Sequence, residues 1–192
     1  VGNLPFRRVC KAYGVDITCG EMAMATNLLQ GQASEWALLR RHPCEDIFGV
    51  QLAGNQVAAM GRAAQLIDET CEVDFIDVNM GCPIDVVCNR GCGAGLAQKP
   101  TRVQGIVRTM SEILSCPLTV KMRMGYANDT PNAHKLIPRL SGWGAAAVTL
   151  HGRSRQQRYS KLADWTYIGQ CAKVCGVPLI GNGDTFGFED TE

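Results

Sequence analysis

The sequence predicts an α/β fold, a TIM (β/α)8 barrel of which about six βα units are present. Short apolar segments alternate with amphipathic helical segments along the 192 residues. A polar residue recurs where each apolar segment stops, about every 30 residues except for a longer interval between Asn79 and Lys121 that contains a glycine-rich loop. About 30 residues is the length of one βα unit. Within each segment the side chains alternate between an apolar face and a face that ends in a polar residue. These polar residues are Glu21, Gln51, Asn79, Lys121, His151 and Asn182.

Local signals place the elements of the first half of the chain. Pro5 lies near the start of a predicted helix, and Gly14 lies just past its end. Asn55 precedes an alanine-rich helix. A glycine-rich loop with Gly91, Gly93 and Gly95 follows the third strand, and we expect its main chain to come close to a ligand. The strands are predicted at residues 15–21, 47–53 and 73–79.

The second half continues the same alternation. Thr101 and Asp164 are the expected N-caps of two helices. In the strand after the first of these helices, Thr119, Lys121 and Arg123 share one face, opposite an apolar face that can pack against helices. The strands are predicted at residues 118–123, 145–151 and 178–184.

Composition narrows the classes of protein. The net charge is +1, so no global charge points to a nucleic acid or a membrane surface. No apolar run approaches the roughly 20 residues that span a bilayer, so we expect no membrane partner. The ten cysteines include no CxxC pair, so we expect no bound metal. The amino-terminal residues lack the apolar run of a signal peptide, so we expect these cysteines to be reduced and the protein to be intracellular. The cytoplasm is the expected compartment, with the nucleus as an alternative.

The polar strand ends predict a single pocket, because the carboxyl ends of parallel barrel strands meet at one face. Gln51 and Asn79 supply amides, Lys121 a cation and His151 an imidazole. This set suits a flat heterocycle with a phosphate tail, and flavin mononucleotide (FMN) fits it. A lysine or histidine can stabilise the anionic reduced ring, and amides can bind its pyrimidine edge. The turn from Asn182 to Asp184 joins the same pocket.

Cys82 is the candidate reactive group. It lies between Gly81 and Pro83 in a turn directly after the third strand. A cysteine thiol is mostly protonated at neutral pH, so it can serve as a general acid as well as a nucleophile. Cys88 and Cys92 lie in the same loop without such a turn, and we interpret them as core residues.

A basic segment follows the fifth strand. Arg153, Arg155, Arg158 and Lys161 surround Tyr159. Such a loop could follow a phosphate backbone with its tyrosine stacked on a base, or it could be an ordinary solvated loop.

Together these motifs resemble the flavin-dependent tRNA-dihydrouridine synthases, most closely the eukaryotic type that acts on the variable loop of tRNA. The resemblance covers essentially the whole chain and rests on VNMGCPIDVVCNRGCGAGL, VQLAGN, LTVKMRMG, VTLHGRSRQQRYSKLADW and IGNGD. It implies that NADPH or NADH reduces FMN, and that the reduced flavin passes hydride to C6 of a uridine in tRNA. Messenger RNA could be a further substrate beside tRNA.

The resemblance also implies roles for single residues. Cys82, in the motif Asn-x-Gly-Cys-Pro, would protonate C5 of the uridine. Asn79, Arg123 and Arg153 would contact the substrate. The residues implied to bind FMN are Gln51, Lys121, His151, Asn182, Gly183 and Asp184.

We expect residues 1–192 to be part of an FMN-binding barrel. The first strand, the last βα unit and the C-terminal tRNA-binding domain of the family are missing, as are its amino-terminal zinc motifs, so the segment alone should be inactive. Val1 would lie in the loop after the missing first strand, and Glu192 in a seventh helical region. Two alternatives stay open: a barrel flavoenzyme that acts on a free small molecule, and a catalytically inactive RNA-binding module.

Overall fold

The computed structural model describes residues 2–191, which form one six-stranded sheet with helices between successive strands. All neighbouring strands are parallel, and their order in the sheet is the order along the chain. This is the arrangement of a partial TIM barrel, so the predicted fold class is confirmed. The strands are β1 (Ile17–Met24), β2 (Ile47–Ala53), β3 (Phe75–Met80), β4 (Leu118–Arg123), β5 (Ala147–His151) and β6 (Leu179–Asn182).

Helices cover the apolar face of the sheet. They are α1 (Leu4–Ala12), α2 (Ala25–Leu29), α3 (Ala33–Trp36), α4 (Val57–Thr70), α5 (Asp85–Asn89), α6 (Pro100–Ile113), α7 (Ala133–Leu140) and α8 (Trp165–Ala172). Short 3₁₀ helices occur at Ala37–Leu39, Gly93–Gln98, Ser141–Trp143 and Phe188–Thr191. Among the described residues, none of these helices is long and apolar enough to cross a membrane.

The predicted alternation of faces holds in the central strands. Ile76, Val78 and Met80 of β3 are fully buried in the hydrophobic core, while Asp77 and Asn79 face the other way. Helices α4 and α6 pack against each other and against β2 and β4. The core therefore lies between sheet and helices, and the polar face is left for the pocket.

Strand β1 departs from the prediction because it contains an extra residue. Cys19 pairs with Gly49, but the next regular pair is Met22 with Gln51, so the register shifts between them. The strand then continues to Met24. Glu21 is therefore not the last residue of its strand, and it is Met22 that pairs with Gln51.

Helix ends are partly as predicted. Asp164 caps α8 by accepting a hydrogen bond from the N–H of Tyr167, and Gly14 follows α1 with a φ of 86°. The prediction for Thr101 is wrong: Pro100 already occupies the first turn of α6, where its missing N–H costs nothing. Val1 and Glu192 lie outside the described residues, as do the predictions made for them.

A buried ion pair joins α1 to the segment before β2. Arg7 donates to Glu45 over 2.7 Å, and Thr18 of β1 donates to the same carboxylate oxygen over 2.6 Å. The Glu45 side chain is fully buried, which would raise its pKa, but the hydrogen bonds from Arg7, Thr18 and the N–H of His42 outweigh burial and lower it. Glu45 is therefore ionised in the folded protein, and the stability of its buried charge depends on Arg7.

Replacement of Arg7 by alanine should destabilise the full-length protein by about 3–5 kcal/mol, because it leaves the buried Glu45 carboxylate without its cation. Arg8 is the matched control: it is the next residue of α1 and is exposed, so Arg8→Ala should cost no more than about 0.5 kcal/mol. Urea unfolding followed by tryptophan fluorescence measures both. Equal losses for the two variants would contradict the structural role of this pair.

Candidate active site

A chain of side-chain hydrogen bonds crosses the polar face of β2, β3 and β4. Thr119 donates its hydroxyl to Asp77 Oδ1 over 2.6 Å, and Gln51 donates Nε2 to Asp77 Oδ2 over 2.7 Å. Asn79 donates Nδ2 to Gln51 Oε1 over 2.7 Å. We call these four residues, Thr119, Asp77, Gln51 and Asn79, the amide relay. The parallel register brings them together, because it pairs Gln51 with Asp77 and Asp77 with Thr119.

The amide relay ends on the turn that carries Cys82. Asn79 Oδ1 accepts hydrogen bonds from the backbone N–H of Gly81 over 3.1 Å and of Cys82 over 2.9 Å. This closes an Asx-type turn directly after β3. The Cys82 thiol is half-buried, so the turn presents it at the carboxyl end of the sheet without sealing it in the core.

The glycine-rich loop packs against the Cys82 turn and donates hydrogen bonds to it. Gly93 has a φ of 54°, and a Cβ on it would lie 2.7 Å from the Cys82 carbonyl oxygen and 2.9 Å from the Cys82 Cβ. The N–H of Ala94 and the thiol of Cys88 both donate to that carbonyl. At Gly93 the main chain approaches the Cys82 turn closely, and the approach of this loop to a ligand stays a prediction.

Two cations of β4 enter the pocket without an ion pair. Lys121 donates Nζ to Asn182 Oδ1 over 2.7 Å, and burial lowers the pKa of this lysine. Arg123 is buried, which lowers its pKa, and it donates to the carbonyl oxygens of Gly81, Ser154 and Arg158. The ion pairs of the described residues include neither cation. An electron-rich or anionic group would therefore be attracted here.

His151 lies among positive charges and is neutral at pH 7. Burial, together with Arg123, Lys121 and Arg153, lowers its pKa to about 4. Arg153 Nη1 lies 3.3 Å from His151 Nε2, and since a guanidinium can only donate, this nitrogen is the acceptor.

The turn after β6 closes against this histidine. Gly183 has a φ of 120°, and a Cβ there would come within 3.0 Å of the His151 ring. Asp184 accepts hydrogen bonds from the N–H of Ala163 and from Arg153 Nη2, which lower its pKa. The charge of Arg153 is thus balanced inside the protein, and its contact with substrate stays a prediction.

The basic loop after β5 folds back onto the Cys82 turn. Arg155 and Arg158 both pair with Asp85 of α5, and Arg155 also donates to the Pro83 carbonyl. Tyr159 is 74% exposed, with its ring centroid 5.5 Å from the Arg123 guanidinium carbon and 6.4 Å from the centroid of the His151 ring. This loop therefore presents the exposed ring of Tyr159 beside Arg123 and His151.

The predicted site residues therefore fall into connected groups at one end of the sheet. Gln51 and Asn79 lead to Cys82, Lys121 meets Asn182, and His151 meets Arg153 and the turn with Gly183 and Asp184. Arg123 bonds the carbonyl of Gly81 beside the thiol. No group of three or more histidine, cysteine, aspartate or glutamate side chains that could hold a metal occurs among residues 2–191.

Sequence reasoning missed Asp77 and Asp85. Asp77 has the same parity as Asn79 within an apolar strand, and this signal could have placed its carboxylate on the pocket face. Asp85 follows the Gly-Cys-Pro turn by only two residues, but its pairing with arginines about seventy positions later has no local signal.

Fold and site together define the class. The molecule is an α/β-barrel protein whose thiol, amides and cations gather at the carboxyl ends of the strands, which is where barrel enzymes carry their chemistry.

Comparison with known proteins gives the family. The profile of the dihydrouridine synthase family (Dus) matches residues 1–192. The chain belongs to this family of enzymes.

Relatives named tRNA-dihydrouridine(47) synthase, NAD(P)(+)-like, occur in animals and plants. The protein of Rattus norvegicus is 61% identical over 190 residues, covering 98% of this chain and 30% of the relative. The human protein is 58% identical, and the match covers 98% of this chain and 29% of the human protein. The Arabidopsis thaliana protein is 56% identical, and the match covers 99% of this chain and 28% of the plant protein. The chain thus spans less than a third of these curated relatives.

Asp77 should make stability depend on pH. Burial raises the pKa of Asp77 to about 6 from its ordinary 3.8, although the hydrogen bonds from Thr119 and Gln51 oppose this. Between these two values the folded state binds the proton and the unfolded state does not, so stability falls as the pH rises through this window. From pH 5 to pH 8 we expect wild type to lose about 1–2 kcal/mol relative to Asp77→Asn, which lacks this titration.

Urea unfolding of both full-length proteins at the two pH values measures this difference. Taking the difference between variants cancels the opposite contribution of His151, whose lowered pKa makes stability fall as the pH drops from 6.5 towards 4. A difference between wild type and Asp77→Asn that is independent of pH would show that Asp77 is already ionised at pH 5 in the folded protein.

Proposed function

We propose that the full-length protein reduces uridine to 5,6-dihydrouridine in tRNA, with FMN as bound cofactor and NADPH or NADH as reductant. The observation that carries this proposal is the position of Cys82: a half-buried thiol, fixed in a turn at the carboxyl end of β3, beside amides and cations. Membership of the dihydrouridine synthase family and the names of its relatives support the reaction and the nucleotide reductant.

The residues of the pocket fit FMN. Lys121 and Arg123 are cations without an ion pair among the described residues, and such a site favours a ring that becomes anionic on reduction. The proposed cofactor contacts are Gln51, Lys121, His151 and the turn formed by Asn182, Gly183 and Asp184. When bound, the reduced flavin would supply a hydride to C6 of the uracil ring.

The chain's own residues would then complete the reduction. Cys82 donates its proton to C5, so that hydride and proton together saturate the C5–C6 bond and leave a thiolate that regains a proton from water. Asn79, Arg123 and Arg153 are the proposed substrate contacts. Neutral His151 can donate one hydrogen bond without adding positive charge.

An RNA substrate agrees with the outer part of the site. The target uridine must leave its stack to reach a pocket, and unstacked bases in RNA loops are commonly held against aromatic side chains. The exposed ring of Tyr159, which lies against Arg123, is available for this stacking. Residues 1–192 would form part of the catalytic barrel, with the remaining strands and a tRNA-binding domain supplied by the rest of the protein.

Replacement of Cys82 by alanine should lower the rate of dihydrouridine formation at least about 100-fold, because the general acid is lost. The assay incubates full-length protein with NADPH and tRNA from cells that lack dihydrouridine, and mass spectrometry detects the product. Cys10→Ala is the matched control, since Cys10 is a partly buried thiol on α1, away from the strand ends, and its variant should keep the wild-type rate.

Two results would overturn the proposal. No product from flavin-loaded wild type with tRNA, but turnover of a free pyrimidine, would favour the small-molecule flavoenzyme. Retained tRNA binding with no reduction by either wild type or Cys82→Ala would favour an inactive RNA-binding module.

A further inference from the structure

We propose that Asp77 is a positioning residue for Cys82: its carboxylate sets the direction of every hydrogen bond in the amide relay and thereby fixes the turn that carries the thiol. The catalytic consequence rests on the proposed function. The geometric consequence does not, because it concerns only the Gly81 and Cys82 amides.

Direction matters because the two middle members of the relay are ambivalent. The side-chain amides of glutamine and asparagine can each present either oxygen or nitrogen to a neighbour. An ionised carboxylate can only accept, so Asp77 requires Gln51 to turn its Nε2 towards it, at 2.7 Å. Gln51 Oε1 then faces Asn79, and only the Asn79 nitrogen can bond to it.

The Cys82 turn needs this orientation of Asn79. The amides of Gly81 and Cys82 are donors, and both bond to Asn79 Oδ1. With the relay reversed, the Asn79 nitrogen would face these two N–H groups, so donor would meet donor and both backbone bonds would be lost. Of the two orientations available to the relay, only the one that Asp77 selects holds the turn.

Water cannot easily replace these links. Asp77 is 4% exposed, Asn79 8% and Gln51 9%. A buried polar group without a partner costs far more free energy than an exposed one, so the relay is held as a unit.

Thr119 adds a specific expectation for the conservative variant. Its hydroxyl donates to Asp77 Oδ1 and can rotate to accept instead. In Asp77→Asn the new amide can donate to Thr119 and still accept from Gln51, and the Gly81 and Cys82 N–H groups at the other end of the relay favour this direction over its reverse. Asp77→Leu removes the acceptor, so the orientation of Gln51 is then selected only through Asn79, by the Gly81 and Cys82 N–H groups at the other end of the relay.

Hydrogen exchange of the Gly81 and Cys82 amides tests the proposal in the full-length protein. Mass spectrometry of peptides covering residues 79–83 resolves them, because Pro83 has no amide hydrogen. We expect exchange about tenfold faster in Asp77→Leu and within about threefold of wild type in Asp77→Asn. Asp74→Leu is the matched control: Asp74 pairs with Arg41 and accepts from the N–H of Phe48, outside the relay, so exchange at residues 81 and 82 should not change.

A second pair of variants keeps the test decisive if Asp77→Leu does not fold. Asp77→Ser leaves a short hydroxyl that can donate or accept, and Gln51→Met removes the middle link. Each should speed exchange of the two amides. Because the links act in series, Asp77→Ser combined with Gln51→Met should exchange no faster than Gln51→Met alone. Effects of the two substitutions that multiply, or unchanged exchange in every variant, would overturn the proposal.

The catalytic consequence has its own measurement. Dihydrouridine formation in a single turnover should fall about tenfold or more in Asp77→Leu or Asp77→Ser and recover in Asp77→Asn, as expected for a thiol that loses its alignment. Full activity of the serine or leucine variant together with faster exchange would overturn the positioning role. If wild type makes no dihydrouridine, the proposed function fails, while the exchange results still decide the geometric claim.

Discussion

A single buried carboxylate on β3 sets the arrangement of the polar groups in this pocket. When ionised, Asp77 can only accept hydrogen bonds, and its two oxygens take them from β4 through Thr119 and from β2 through Gln51. Three neighbouring strands are thus joined on their polar face, where a parallel sheet would ordinarily bury apolar side chains. Burial of so many polar groups is tolerable because each has a partner, and the order of those partners leads to the turn of Cys82.

The positive charges of the site divide into two sets with different consequences. Arg153, Arg155 and Arg158 pair with Asp184 and Asp85, so they hold the loop after β5 onto the loops after β3 and β6. Lys121 and Arg123 form no ion pair with a carboxylate among the described residues, so their positive charges can attract an anionic or electron-rich ligand. The first set shapes the pocket, and the second gives it an affinity for electron-rich rings.

The sequence predicts the fold well because strand periodicity and βα length are local properties. Five of the six expected polar strand-end residues lie near the carboxyl ends of their strands, and the sixth fails because an extra residue in β1 shifts the register beyond Cys19. The Gly-Cys-Pro turn could likewise be placed from neighbouring residues.

Side-chain partners were harder to predict, because they depend on the register of strands and on loops distant in sequence. Asp77 of β3 binds Thr119 of the neighbouring strand β4, which is 42 residues away in the sequence. Asp85 meets arginines about seventy positions later, and Gly93 lies against the Cys82 turn. Alternation assigns a face to each strand residue, but it does not give the direction of a hydrogen bond.

Neutron diffraction from deuterium-exchanged crystals of the full-length protein tests the central claim most directly, because it shows which atom of each amide carries deuterium. The account predicts deuterium on the Gln51 nitrogen pointing at Asp77, on the Asn79 nitrogen pointing at Gln51, and on the Gly81 and Cys82 amides pointing at the Asn79 oxygen. Either amide found in the opposite orientation, or a water molecule inserted between Asp77 and Gln51, would contradict it.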